Sequence, residues 1–296
     1  MRFGITIGLT ILAFGLAAKP ASAVTCGQID DFQALSVSGW VEGFGSPNPP
    51  TVVSDGGPGG VGDHALENSS SGGFGPGSKM IMFNAAQWTG DYTALNLPEV
   101  RIEARMANTG ATALSMRIAL QGAFGQRYAT TTGAALPADG QWHQVSFGLT
   151  ASDLSLIGGS ASLATVLGNV SEMRINSASA PAWTGDSLVG TLRMDNLVIR
   201  VPGDVNGDGI VDIGDLALIG GQWATAGAGS SGSLGNGDIS GDGDGVDIGD
   251  LAVVGGNWNL SGTVSLGGSG ASAVPAPPAA AVGAIGLAGL AARRRS

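Results

Sequence analysis

The stretch Asp204-Val-Asn-Gly-Asp-Gly-Ile-Val-Asp-Ile-Gly-Asp215 constrains this chain more than any other. Oxygen-bearing side chains fall at loop positions 1, 3, 5, 9 and 12, as Asp204, Asn206, Asp208, Asp212 and Asp215. Gly209 stands at position 6, where the backbone must turn sharply and a Cβ would be in the way. A hard divalent cation needs this spacing. Ca²⁺ takes six to eight oxygens at about 2.3–2.6 Å, and a 12-residue loop wraps them around one point. Ile210, at position 7, would lend its backbone carbonyl.

The pattern returns as Asp238-Ile-Ser-Gly-Asp-Gly-Asp-Gly-Val-Asp-Ile-Gly-Asp250. Its ligand candidates are Asp238, Ser240, Asp242, Asp247 and Asp250. Both copies continue as Asp-Ile-Gly-Asp-Leu-Ala, an apolar pair, Gly-Gly and, one residue on, Trp223 or Trp258. A lone Asp-rich loop is often a solvated turn, whereas duplication together with the matching apolar residues points to metal binding.

This pairing resembles a type I dockerin over residues 203–260. Such modules carry two calcium loop–helix repeats, each without the leading helix of a full EF-hand. The resemblance implies Ca²⁺ as cofactor, and the residues just named as its ligands. It also implies a cohesin-like module as partner, often in assemblies that gather polysaccharide-degrading proteins. Positions 10 and 11, where dockerins read that partner, are Ile213-Gly214 and again Ile248-Gly249. An identical pair in each repeat would allow two docking orientations related by a half-turn. This chain departs from the pattern in three ways. The second loop has one extra residue, Ser240 is a neutral ligand, and the segments Leu216–Trp223 and Leu251–Trp258 hold Gly-Gly and no Lys or Arg.

The two ends read as targeting segments. Arg2, the apolar run Ile5–Ala18 and the small residues Ala21-Ser22-Ala23 have the layout of an export signal over residues 1–23. At the other end, Val274-Pro-Ala-Pro-Pro278, the apolar run Ala279–Ala292 and Arg293–Arg295 resemble a PEP-CTERM sorting tail over residues 274–296. That resemblance implies an exosortase-type processing enzyme and transient anchoring in the membrane. The expected location is therefore the cell surface or extracellular matrix. Ala276 stands where the motif has Glu. A Gly/Ser linker at 261–273 separates this tail from the repeats.

The formal net charge is −10, from 13 basic and 23 acidic residues. Five of the basic residues lie in the two terminal segments, and residues 204–250 hold nine acids and no Lys or Arg. Such a density is hard to fold without cations to neutralise it. No basic patch exists to displace counterions from a phosphate backbone, so nucleic acid is excluded as a partner. Cys26 is the single cysteine, which rules out an intramolecular disulfide.

Residues 24–200 have the length of one domain and the alternation of strands. Val100, Ile102, Ala104 and Met106 alternate with Arg101, Glu103 and Arg105. Leu114, Met116, Ile118 and Leu120 do the same, as do Val145, Phe147 and Leu149 and, less cleanly, Val170 to Ile175. Leu192, Met194 and Val198 are expected to face one way, and Arg193 and Asp195 the other. One apolar face per strand is the mark of antiparallel sheets covered on one side. The expected fold is mainly β: a jelly-roll β-sandwich, followed by the small α module of two calcium repeats.

The opening Ile29-Asp-Asp-Phe32, the closing Leu192-Arg-Met-Asp-Asn-Leu-Val-Ile199 and the turn and strand Leu136–Phe147 with Trp142 resemble galactose-binding-like β-sandwiches. These occur as carbohydrate-binding modules and non-catalytic accessory domains. The resemblance implies a polysaccharide ligand and a structural Ca²⁺ where first and last strands meet, with Asp31 and Asp195 as its candidates. Trp88, Tyr92, Tyr128 and Trp183 are the candidate glycan-stacking rings; plugging the sandwich ends is the alternative use of such rings. Trp40 and Trp142 read as core.

Catalysis is not expected. His64 and His143 are the only histidines, and no nucleophile elbow is present. Glu99 and Glu103 have arginine neighbours and read as a charged solvent face rather than a glycosidase pair. The chain reads as an exported, calcium-dependent binding and display protein. A dockerin-bearing polysaccharide hydrolase and a structural matrix protein with a calcium-rigidified stalk are the two alternatives.

Overall fold

The computed structural model describes residues 24–95, 97, 100–206, 210–224, 237, 239 and 245–259. The export signal, linker 261–273 and sorting tail expected from the sequence lie outside the described residues. So do Asp208, Asp238, Ser240 and Asp242. All described residues belong to one compact unit, Met1–Val264.

The strands are β1 Ile29–Asp30, β2 Trp40–Val41, β3 Thr51–Val53, β4 Ala65–Ser71, β5 Ile81–Asn84, β6 Arg101–Asn108 and β7 Leu114–Gln121. They continue as β8 Arg127–Thr130, β9 Ala134–Leu136, β10 Trp142–Gly148, β11 Leu154–Gly158, β12 Glu172–Ser177 and β13 Val189–Arg200. A short helix α1, Leu163–Leu167, precedes β12, and α2 Ile213–Gly221 and α3 Ile248–Gly256 follow β13. Among the described residues the strands form two antiparallel sheets. One runs β10-β6-β13-β4-β3 with β1 beside β13, and the other runs β11-β8-β7-β12-β5-β2 with β9 beside β7. The protein is a mainly β sandwich, as the alternation predicts.

The inner faces supply the core. Ile102, Ala104 and Met106 of β6, Val145 and Phe147 of β10, and Leu192 and Met194 of β13 lie buried with Met116, Ile118 and Leu120 of β7 and Met173 and Ile175 of β12. Each fully buried aliphatic side chain contributes about 1.5–3 kcal/mol of transfer free energy. Two expectations need correction. The register of β13 shifts between Asp195 and Val198, with Asn196 at φ 49°. This bulge adds a residue and turns Leu197 and Ile199 to the core, so Val198 joins the opposite face. Trp142 is not core either. It pairs with Ala107 on the outer face and is half-buried, because Val145 and Phe147 hold the inner phase of β10.

The first strand is locked by a buried carboxylate. Asp30 accepts the indole N–H of Trp40 at 2.8 Å and of Trp88 at 2.7 Å, and Gln87 donates its amide as well. Burial pushes the Asp30 carboxyl up, while these three donors pull it back. Asp30 thereby ties β1 to β2 and to the loop after β5. No helix among the described residues is long and apolar enough to cross a membrane.

Candidate functional site

In the first calcium-type loop the last ligand closes on the first residues. Asp215 is fully buried, and its Oδ1 accepts the backbone N–H of Val205 at 2.6 Å and of Asn206 at 3.0 Å. Its Oδ2 accepts the N–H of Asp212 at 2.8 Å, while Asp212 Oδ1 accepts the N–H of Gly214 at 2.7 Å. This reciprocal capping box starts α2 at Ile213. Positions 9 and 12 therefore hold the loop and begin the helix together. Asp204 is buried, Asn206 exposed and Asp212 half-buried, and Ile210 is 40 % exposed.

The second repeat is built the same way. Asp250 is fully buried, accepting the N–H of Ile239 at 2.7 Å and of Asp247 at 2.8 Å. Asp247 caps Gly249 and starts α3 at Ile248. The extra residue of the second loop leaves this closing geometry intact.

The two repeats embrace each other. Ala224 N–H donates to the Val246 carbonyl at 2.9 Å, and Asn259 N–H donates to the Val211 carbonyl at 3.0 Å. These four residues occupy equivalent places, so the exchange is the one a twofold arrangement produces. Val205, Val211, Ile219, Val246 and Val254 are buried between the halves and join the hydrophobic core. The partner-reading pairs are placed alike. Ile213 is 66 % and Ile248 67 % exposed, with Gly214 and Gly249 half-buried behind them.

A hard cation fits the oxygens present. Asp204, Asn206, Asp212 and Asp215 come from one closed loop, and no Lys or Arg in 204–250 competes for the carboxylates. Buried carboxylates without a counter-charge are costly. Among the described residues, no three acidic, His or Cys side chains converge into a metal cage.

Asp31 and Asp195 lie where the sequence places them, at the junction of β1 and β13. Asp195 is fully buried, and no side chain donates a hydrogen bond to its carboxylate oxygens. Burial pushes its carboxyl up to about 7, with the backbone N–H of Asn196 opposing, the charges of Asp63 and Asp31 adding and Arg105 opposing. Asp31 is exposed, and Gln33 bridges it to Asp63. A buried carboxylate without a side-chain donor fits a cation ligand, and Asp63, which follows a glycine-rich loop, is the neighbour that sequence reasoning missed.

The four glycan-stacking candidates do not assemble. Trp88 and Tyr92 are fully buried, and the Tyr92 hydroxyl donates to the Trp88 carbonyl at 3.1 Å. Their faces are spent on the core and on Asp30. Tyr128 packs against the core and donates to the Ala161 carbonyl at 2.9 Å. Trp183 sits on the outer face of the second sheet, held by guanidiniums. Arg174 is 3.9 Å and Arg127 4.5 Å from the ring centroid, and Arg174 also stacks on Phe83 at 5.0 Å. The exposed rings of the sandwich are instead Phe44, Phe74 and Phe124.

Among solved structures, an exo-β-agarase aligns with 15 % identity and a TM-score of 0.42 over 66 % of this chain. That alignment spans only 27 % of the agarase, about a quarter of its length. A family 11 carbohydrate-binding module from Clostridium thermocellum, in complex with a β-1,3-1,4-mixed-linked tetrasaccharide, aligns with 16 % identity and a TM-score of 0.40. It covers 60 % of this chain and 96 % of that one. A family 30 module of a cellulosomal cellulase from the same organism aligns with 13 % identity and a TM-score of 0.34, over 62 % of this chain and 92 % of that one. No curated protein matches in sequence. Residues 202–255, which span both loop–helix repeats, match the dockerin type I domain.

Proposed function

We propose that this is an exported, non-catalytic binding protein that docks through residues 203–259 in a calcium-dependent way and presents a polysaccharide-binding β-sandwich. The observation that carries it is a duplication: two repeats, each with a capped helix, are joined by reciprocal hydrogen bonds, and each exposes the isoleucine of the same Ile-Gly pair. A dockerin type I domain at this position supports a cohesin-like partner. Asp204, Asn206, Asp208, Asp212 and Asp215, with the Ile210 carbonyl, would hold one Ca²⁺; Asp238, Ser240, Asp242, Asp247 and Asp250 would hold the other. A bound ion would supply positive charge to a segment that has no Lys or Arg, and its binding free energy would become folding free energy of the module.

The duplication gives the partner two ways to bind. Substituting Ile213-Gly214 alone leaves Ile248-Gly249 to dock after a half-turn. Calorimetry against a cohesin-like module, with excess Ca²⁺, tests this. Single-pair variants are expected to keep binding and the double variant to lose it. Loss of all binding from one pair alone contradicts the twofold reading.

The non-catalytic reading is supported by how the sandwich uses its carboxylates. Glu103 pairs with Arg200 at 3.1 Å, Glu67 with Arg193 at 2.8 Å and Glu172 with Arg174. Asp30 is consumed by two indoles. Display at the cell surface, by exosortase processing of the tail, completes the proposal. Asp195, with Asp31 and Asp63 nearby, is the candidate ligand of a structural cation in the sandwich.

A further inference from the structure

The outermost aromatic groups of the sandwich belong to two loops of similar sequence. Gly43-Phe44-Gly45-Ser-Pro47 follows β2, and Gly73-Phe74-Gly75-Pro76 joins β4 to β5. Both rings are fully exposed. The flanking glycines hold them there. Gly43, Gly45, Gly73 and Gly75 have φ of 125°, 75°, 78° and 94°, a region that side-chain-bearing residues rarely adopt. An apolar ring held fully in solvent burdens the free protein, and a ligand that covers it relieves the burden.

The two loops meet at one end of the sandwich. A Cβ on Gly77 would stand 2.9 Å from Pro47 Cδ and 3.0 Å from Ser46 Oγ. The second loop is closed on itself and tied down. Ser71 N–H donates to the Gly77 carbonyl at 2.8 Å, Ser78 Oγ to Gly75 at 2.6 Å and Ser187 Oγ to Gly73 at 2.7 Å. A loop backbone fixed beforehand loses little conformational entropy when its ring is covered.

The chemistry of the rim selects the occupant. Residues 43–53 and 68–78 contain no charged side chain; beside the ring-bearing turns stand one acid, Glu42, which accepts from Ser46 Oγ, and one base, Lys79, which donates to Thr184. The two loops carry the polar side chains Ser46, Asn48 and Ser71, and Ser187 is bonded to Gly73. A bilayer surface is met by clusters of Lys and Arg beside the apolar group, whereas Lys79 is the only Lys or Arg in residues 42–79 and donates to Thr184. A second copy of this acidic chain would bring its own net negative charge. A neutral polysaccharide offers apolar C–H faces to the rings and hydroxyls to the rim.

We propose that Phe44 and Phe74 form a glycan-binding platform at this end of the sandwich, and that its ligand is a neutral polysaccharide. The inference rests on the polysaccharide-binding reading and assigns its site to residues outside the sheet faces.

The test is affinity electrophoresis of the full chain in native gels containing mixed-linkage β-glucan, xylan or agarose. The wild type is expected to be retarded by at least one of them. Phe44→Ala and Phe74→Ala are each expected to weaken binding by about tenfold, the scale of one lost aromatic contact, and the double variant to run freely. Phe124→Ala, at the opposite end of the sandwich, is expected to bind as wild type does. Both Phe44 and Phe74 are fully exposed, so thermal melts of the variants should match wild type and exclude misfolding. If the double variant is retarded like wild type, the platform is refuted while polysaccharide binding stands. If no gel retards the wild type, the polysaccharide reading fails and takes the platform with it. Co-sedimentation with phosphatidylcholine vesicles that depends on both phenylalanines, without gel retardation, assigns the rings to lipid and overturns the proposal.

Discussion

The main-chain N–H of Ala224, at the end of the first repeat, donates to the carbonyl of Val246 in the second at 2.9 Å. The mirror bond, Asn259 to Val211, means that neither loop–helix repeat can leave without stripping a hydrogen bond from the other. The two calcium loops should therefore unfold as one unit. Chelator added to the full chain is expected to remove the helical circular dichroism of both repeats in one transition, and Ca²⁺ to restore it. Asp215→Ala leaves the N–H groups of Val205, Asn206 and Asp212 without their acceptor. Of these only the Val205 N–H is fully buried, and an unsatisfied buried donor costs about 1–3 kcal/mol, so the variant should need more Ca²⁺ to fold both helices. Two separable transitions, one per repeat, would contradict the coupling.

On the second sheet, Phe83, Arg174, Trp183 and Arg127 alternate ring and cation in sequence of contact. The ladder fastens the loop at 178–187, which Arg117 also holds through the carbonyls of Ala178 at 2.8 Å and Ser179 at 3.3 Å. Partly desolvated cation–π contacts contribute about 0.5–2 kcal/mol each. Trp183→Ala is expected to lower stability by about 1–3 kcal/mol and to open this loop to protease, read by urea denaturation and limited proteolysis. An unchanged cleavage pattern and midpoint would show that the arginine carbonyl contacts hold the loop alone.

The contrast between Trp88 and Trp183 shows where sequence reading stops. Both stand in Trp-Thr-Gly-Asp, and both turns were equally readable. Yet Trp88 is drawn inward by Asp30, 58 residues away, and Trp183 outward by Arg174 and Arg127. Asp30 and Arg127 lie far off in the sequence, and Arg174, though nearer, stands on β12 across a turn, so none leaves a local mark in the motif. The strands of β6, β7 and β10 were legible because period-two alternation is local, whereas the bulge at Asn196 depends on pairing with β6 and was not. The two capped helices of the repeats were the most legible part, since each cap and its partners fall within 12 or 13 successive residues. Phe44 and Phe74 carried a signal in their flanking glycines, but the meeting of the two loops depends on how β2, β4 and β5 are arranged.

Cys26 gives a chemical readout of the native state. It is 5 % exposed, and burial first, then the charge of Asp204, pushes its thiol up to about 11. An unfolded thiol ionises near 8.5. The folded state therefore binds the proton more tightly between these values, so this group's contribution is level below about pH 8.5. It then falls as pH rises toward 11, where the buried thiolate must form. Native protein is expected to resist alkylation by iodoacetamide at pH 8 and to react fully in denaturant. Cys26→Ser should flatten the stability loss between pH 8.5 and 11, measured by thermal melts. Rapid native alkylation at pH 8 would show that the segment around Val24 opens to solvent.

The glycines that end α2 and α3 divide by what surrounds them. A Cβ on Gly220, Gly221, Gly255 or Gly256 would meet nothing within 4 Å, and none of the four has a positive φ. Alanine there should remove backbone entropy from the unfolded chain without strain, worth up to about 1 kcal/mol per site in a helix. Gly214 is different. A Cβ there would stand 3.1 Å from both Asn206 Nδ2 and Asp212 Oδ1, two candidate calcium ligands. Gly220→Ala and Gly255→Ala are expected to raise the denaturation midpoint of the module and leave its Ca²⁺ affinity unchanged or slightly higher. Gly214→Ala should lower Ca²⁺ affinity, because Asn206 and the Asp212 cap must shift to admit the methyl group. Calcium titrations of the three variants, followed by helical circular dichroism, separate the two effects. Equal behaviour at Gly214 and Gly220 would mean that the first loop is not held as tightly as its hydrogen bonds indicate.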